Sequence, residues 1–235
     1  MHLTQDDPLV PRGVLKGLRP GGVTVVIGAG AMGRMHVDAA FSYRPRAIIV
    51  SDFIDSRLDL VKALFGKRAE KTGIALYAVS PAQTDLEQLI DDITDYHGAD
   101  DVIVAVGSRK AIESSQGYCG RGGVFNLFGG LKRGDEIVGL DAGIIHYKEI
   151  NVTGSSGGSP WDIARTLELM TDGEVDAGAH IAQIGDLAHS IEFLHLVEAQ
   201  EIDGKAIVYP HRHVDEKFAV SGWTAEDELD FLQEE

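Results

Sequence analysis

Three glycines carry the first chemical signal. Gly28, Gly30 and Gly33 follow the apolar, β-branched run Val23–Ile27 and lead into a helical pattern over 31–41. Each glycine has its own task in a turn that grips a pyrophosphate. The first allows a tight strand-to-helix turn, the second lets bare backbone approach the phosphates, and the third lets the helix pack close on the strand. The helix opening at Ala31 and Met32 turns free N–H groups and its positive dipole end toward the same place. Glycine is common here, 28 of 235 residues, so the spacing alone is a weak signal and also suits a tight turn without a ligand. A second strand, 47–51, ends in Asp52, at the distance where a carboxylate accepts the adenosine ribose hydroxyls. Strand, turn, helix and acid in this order point to a bound dinucleotide.

Asp52 also bears on which dinucleotide. A carboxylate there repels a 2′-phosphate, which favours NAD. Arg57, five residues on, can accommodate that phosphate and keeps NADP open. Read without a ligand, Arg57 is a solvated residue in the first turn of a helix.

These groups need a sheet to hold them. Strand and helix patterns alternate along the chain, as in a parallel sheet covered by helices. Further strands are expected at 74–79, 101–106, 122–128 and 149–154. The helix after Asp55 carries Leu58, Val61 and Phe65 on one face, with Gly66 as a stop. Thr84 and Glu87 have capping-box spacing before a face of Leu86, Leu89, Ile90 and Ile93. Six strands in this rhythm predict a doubly wound α/β fold, a six-stranded parallel Rossmann sheet ordered 3-2-1-4-5-6 with helices on both faces. Ser159-Pro-Trp-Asp162 then opens a helix with Ile163, Leu167 and Met170 as its stripe and Gly173 as its end. Beyond Asp176 come a strand at 180–184, a helix faced by Leu187, Ile191, Leu194 and Val197, and a strand at 205–209. They are too few to form a domain of their own. Thr224 and Asp227 can cap a short helix in an acidic tail.

Composition sets limits. A net charge of −16 argues against nucleic acid and anionic membrane surfaces as partners. The single cysteine, Cys119, suits a small buried residue better than a nucleophile. No apolar run reaches the roughly 18 residues of a membrane helix, and the polar N-terminus does not read as a signal peptide. A cytoplasmic location is the expectation.

Several phrases together carry a family likeness. Leu18-Arg-Pro-Gly-Gly-Val-Thr24, Gly33-Arg-Met-His36, Asp52 with Arg57 and Leu58, Gly122-Gly-Val-Phe125 and Asp203-Gly-Lys-Ala-Ile-Val-Tyr-Pro210 resemble the medium-chain dehydrogenase/reductase superfamily. The likeness is greatest to its zinc-type alcohol and polyol dehydrogenases. Leu127-Phe-Gly-Gly130 and Gly154-Ser-Ser-Gly-Gly158 are similar to the branch that includes L-sorbose-1-phosphate reductase. The resemblance implies that Gly28, Gly30, Gly33 and Asp52 hold the cofactor. It implies that Val106 and Gly107 pass near the adenine-side ribose and the nicotinamide. Leu127, Phe128, Gly129, Ser155 and Ser156 would receive the carboxamide, and Lys205 would reach the pyrophosphate. Lys205 reads equally well as a solvated lysine at a strand end. His36 matches a common family position and is expected to pack on its helix rather than act as a base.

The family's zinc sits in a separate catalytic domain, on a cysteine, a histidine and a further cysteine or glutamate. It polarises the alcohol oxygen while hydride passes to nicotinamide. About 20 residues precede the cofactor pattern, and they hold His2 and no cysteine. One cysteine cannot build the family's four-cysteine structural lobe. His211, His213 and Asp215 form a compact group, but in a polar tail they are expected to be solvated. The resulting division is an arm over 1–20, an NAD(P)-binding domain over 21–175, a return segment of the catalytic domain over 176–210 and an acidic tail over 211–235. The expected function is the NAD(P)-binding part of an oxidoreductase acting on a polyol or sugar phosphate, inactive or weak without a zinc-bearing domain. The alternative is a stand-alone dinucleotide-binding module. An uncovered apolar face near the C-terminal segment would favour a homo-oligomer.

Overall fold

Runs of Val, Ile and Ala without polar alternation make strands that are covered on both faces. In the computed structural model, which describes residues 18–154 and 156–233, such runs make up most of β1 (Val23–Ile27) and β2 (Ala47–Ser51) and the second half of β4 (Ala99–Val104), where Asp100 and Asp101 precede the apolar Val102–Val104. With β3 (Ala75–Val79), β5 (Cys119–Leu127) and β6 (Asn151–Gly154) they build one parallel sheet in the order β3-β2-β1-β4-β5-β6. This is the predicted doubly wound order. Successive residues of each strand feed opposite cores. Val25, Ile49, Val102 and Phe125 pack on one face with Leu86, Ile90 and Ile112. Val26, Ile48, Val50 and Ile103 pack on the other with Val37, Phe41, Leu58, Val61 and Phe65.

The helices follow their apolar stripes, with corrections at the ends. Helix α1 spans Ala31–Phe41. Helix α2 spans Asp55–Thr72 and runs through Gly66. Its buried stripe continues from Leu58, Val61 and Phe65 to Ala69, and this packing outweighs the roughly 1 kcal/mol that an internal glycine costs. The stop is Gly73, whose left-handed φ of 71° suits glycine. Helix α3 (Leu86–Thr94) is capped by Asp85 rather than Thr84: its carboxylate accepts from Gln88 N–H at 3.1 Å. Two helices without a clear sequence stripe follow, α4 (Arg109–Ser115) and α5 (Ala142–Lys148). Only Ile112 and Ser115 of α4 are buried, and none of α5. Asp141 caps α5, and Glu149 leaves it in a left-handed turn, so β6 starts two residues later than the pattern suggests.

The chain divides into two compact units after Ala164. Helix α6 (Pro160–Thr171) has the predicted start: Ser159 Oγ and the Asp162 carboxylate cap each other. In the second unit, β7 (Ile181–Asp186) lies between a parallel β8 (Lys205–Tyr209) and an antiparallel β9 (Phe218–Ala219). Helix α7 (Ser190–Glu198) corrects the expected inner face. Phe193 is buried, while Leu187, Ile191, Leu194 and Val197 are all more than half exposed. Gly185 explains the choice, because a Cβ there would lie 2.9 Å from the Phe193 ring. Helix α8 (Ala225–Gln233) closes the unit, capped by Thr224 and Asp227 as predicted.

Candidate functional site

The sheet order reverses between β1 and β4, and ligands of such folds bind outside the strand ends at that switch point. The glycine turn lies there. Gly28 adopts φ 102° and donates its N–H to Ser51 O at 2.7 Å. Gly33 has no room for a side chain, because a Cβ would stand 1.8 Å from Gly28 O. Gly30 differs: the nearest atom to its Cβ position is Arg57 Nη1, at 3.9 Å. Gly28 and Gly33 are thus demanded by the fold, whereas Gly30 leaves space that the protein itself does not fill.

Both sides of the Ala29 peptide are held. Its N–H donates to Asp52 Oδ2 at 2.7 Å, and its carbonyl accepts from Arg34 Nη1 at 2.9 Å. Asp52 Oδ1 also accepts from Ile54 N–H at 3.0 Å, and Arg57 Nη1 stands 3.9 Å from Oδ2. Asp52 thus ties the glycine turn to the start of α2. Arg34, 1% exposed, was not legible as a site residue, since a lone arginine after Gly33 gives no local sign of its acceptor. Replacing it, as Arg34→Met, removes a charged donor and leaves a buried carbonyl unmatched. We expect a loss of about 2 kcal/mol, read by urea denaturation, with faster hydrogen exchange in residues 28–33. Unchanged stability and exchange would show that the arginine does not hold the turn.

Gly28, Asp52 and Val106 border one cavity of about 300 Å³. Ile27, Pro81, Leu86, Ala111 and Tyr118 give it apolar walls, with Ser108 and Lys110 also on its lining. Pro81 and Tyr118 were missed from sequence, because only the sheet order brings their loops beside β1. Burial pushes the Tyr118 phenol up, with Glu87 and Asp85 adding to the shift, so it stays neutral.

The loops after β4 and β5 meet backbone to backbone. A Cβ on Gly107 would lie 2.1 Å from Gly130 O, and one on Gly129 2.4 Å from the Val106 carbonyl. Leu127 ends β5, and the N–H groups of Phe128 and Gly129 both donate to Val104 O, at 3.2 and 2.8 Å. His36 packs edge-on to the Phe128 ring, with centroids 4.4 Å apart. Burial lowers its pKa, so the imidazole stays neutral. Ala31 and Met32 open α1 and Arg57 lies in the first turns of α2. Ser156 follows β6, whereas Ser155 and His2 lie outside the described residues. Lys205 is the first residue of β8, in the second unit.

Zinc does not fit the described residues. None of their His, Cys, Asp and Glu side chains form a group of three or more able to hold a metal ion. Cys119 is buried, and burial together with the Asp101 charge pushes its thiol up to about 12. His213 Nδ1 bonds Asp186 at 3.1 Å and His189 Nδ1 bonds it at 2.8 Å, while Asp215 stands exposed with an oxygen 3.3 Å from His213 Nε2. The Val214 N–H, together with these histidines and Ala188 N–H, holds Asp186 down at about 2. This is a satisfied hydrogen-bond cluster. No helix of the described residues is long and apolar enough to cross a membrane.

The sheet order and the turn at its switch point define a Rossmann-type α/β domain. The chain belongs to the zinc-binding dehydrogenase family, whose model matches residues 31–172. Among curated proteins, mannitol-1-phosphate 5-dehydrogenase of Aliivibrio fischeri is 29% identical over 200 residues, 83% of this chain and 47% of that protein. Sorbitol dehydrogenase of Halalkalibacterium halodurans is 26% identical over 160 residues, 68% of this chain and 44% of its own length. The chain spans about half the length of the curated relatives it matches. Benzyl alcohol dehydrogenase from Acinetobacter calcoaceticus shares the fold with a TM-score of 0.69 at 20% identity, over 88% of this chain and 59% of that one.

Proposed function

We propose that the first unit binds NAD, and that the chain is the cofactor-binding part of an oxidoreductase acting on a polyol or sugar phosphate. The observation that carries this reading is Gly30. The turn around it is fixed by Asp52 and Arg34, yet its Cβ position is open, which suits backbone approach by a pyrophosphate. Gly28, Gly30, Ala31, Met32 and Gly33 would hold that pyrophosphate. Asp52 and Arg57 would take the ribose, and the apolar cavity beside them the adenine. Val106 and Gly107 would pass near the adenine-side ribose and the nicotinamide, and Leu127, Phe128, Gly129, Ser155 and Ser156 would receive the carboxamide. The bound cofactor would supply or accept the hydride.

The substrate class rests on the relatives, whose names include mannitol 1-phosphate and sorbitol dehydrogenases. NAD is favoured over NADP because the Asp52 carboxylate is fixed by two N–H donors where a 2′-phosphate would meet it. Calorimetry should give NAD several-fold tighter binding than NADP. Equal or reversed affinities would mean that Arg57 outweighs Asp52.

A stand-alone dinucleotide-binding module is the second reading, favoured by the misfit between zinc and the described residues. Both readings predict weak or absent oxidation of sorbitol or mannitol 1-phosphate by the chain alone with NAD and added zinc. Turnover restored by adding a relative's zinc-bearing half would favour the enzyme reading, and robust turnover without it would overturn both. The exposed stripe of Leu187, Ile191, Leu194 and Val197 supports self-association. Sedimentation velocity should then find a dimer or larger species, and a monomer would refute it.

A further inference from the structure

The second unit contains a cavity of its own, about 480 Å³ in volume. Trp223 and Tyr209 line it, with the carboxylates of Asp176 and Glu228 and apolar side chains such as Met170 and Ile207. No Lys, Arg or His is among its lining residues. Its aromatic walls are fixed in place. Trp223 Nε1 donates to Tyr209 Oη at 2.8 Å, and the Tyr209 hydroxyl donates to Glu228 Oε1 at 2.6 Å. The Trp223 backbone N–H donates to Gly178 O at 3.0 Å. The guanidinium of Arg212 lies over the Phe231 ring, 5.3 Å from its centroid, and is not part of the cavity wall.

This lining selects by charge and by hydration. Two carboxylates without a lining cation repel anions. Apolar walls disfavour a strongly hydrated metal ion, which would have to shed its water against Met170 and Ile207. A cation that carries its charge on an alkylated surface meets neither obstacle, and electron-rich ring faces attract it. We propose that this cavity binds an organic ammonium ion, with its charge beside Glu228 and its alkyl groups against Trp223 and Tyr209. The volume lies within the range of small-molecule pockets.

The chain has two tryptophans, so Trp161→Phe leaves Trp223 as the sole reporter. Trp161 is 66% exposed, which makes that substitution mild. The full chain is titrated with choline and with its neutral isostere 3,3-dimethylbutan-1-ol, reading Trp223 emission. The expected result is a saturable change, with choline about tenfold tighter than the isostere. Glu228→Gln keeps an acceptor for Tyr209 and should weaken choline at least several-fold while leaving the isostere unaffected. If that variant melts early, the choline and isostere comparison in the Trp161→Phe chain decides alone. Equal affinities for the two, or no saturable change with choline, would overturn the proposal.

Discussion

Gly33→Ala should cripple the fold, while Gly30→Val should leave it standing and abolish NAD binding. The two positions are three residues apart in one turn, yet the atoms around them differ. A methyl group on Gly33 would stand 1.8 Å from Gly28 O, a backbone atom fixed by β1 and its turn. Relief requires the helix to lift from the strand, at a cost of about 3 kcal/mol or more. Gly30 sits at φ −64°, which any residue adopts, and nothing lies nearer its Cβ than Arg57 Nη1 at 3.9 Å. Valine there forfeits only the modest preference for glycine at a helix N-cap. Its side chain would occupy the space into which the pyrophosphate must come. We expect Gly30→Val to melt within a few degrees of the parent and to lose at least about a hundredfold in NAD affinity, roughly 3 kcal/mol. Thermal denaturation and calorimetry on both variants check this. A Gly30→Val chain that binds NAD as the parent does would end the assignment of this turn to the cofactor.

The glycine turn was legible in the sequence because Gly28 and Gly33 answer local demands of the backbone, a positive φ and a close helix-to-strand approach. The strands were legible for a similar reason: a run such as Val23–Ile27 has no face that tolerates water. What escaped depends on partners distant in sequence. Gly66 looks like a stop until the stripe beyond it, ending at Ala69, is found to be buried. The stripe of α7 is amphipathic, but periodicity does not say which surface covers it, and Gly185 admits Phe193 instead. Asp52 was placed correctly after β2, yet its bond to Ala29 N–H exists only once the turn is built. Arg34 is buried for the same reason. The walls of the cavity beside Gly28 come from loops that the reversed sheet order gathers, so they are a property of topology before they are a property of any segment.

The same dependence on distant packing sets the second large effect, at Asp101. Its neighbour Asp100 is well matched, with an ion pair to Arg19 and a 2.7 Å bond from Val23 N–H. Asp101 is 4% exposed, paired in register with Thr24 and Val124, and its buried Oδ2 has no hydrogen-bond partner. Burial, reinforced by the Asp100 charge and opposed by Arg19, pushes its carboxyl up to about 7 from an ordinary 3.8. Between these two values the native state keeps a proton that the unfolded chain has released. Stability therefore falls as pH rises from about 4 to about 7 and is level above that. The drop is on the order of 4 kcal/mol, a large part of a typical domain's total. Asp186 works in the opposite sense and in another window. Its carboxylate is held down at about 2, so its contribution is present above 3.8 and fades as pH falls toward 2. The two windows meet near pH 4 and do not overlap. Asp101→Asn should remove the fall between pH 4 and 7 and make the chain more stable than the parent at pH 8. Urea denaturation of both chains at several pH values isolates the effect, since the remaining carboxylates cancel in the difference. A parent-to-variant difference that stays flat from pH 4 to pH 8 would mean that Asp101 is ionised throughout, with its charge met by a group that the structure does not place beside it.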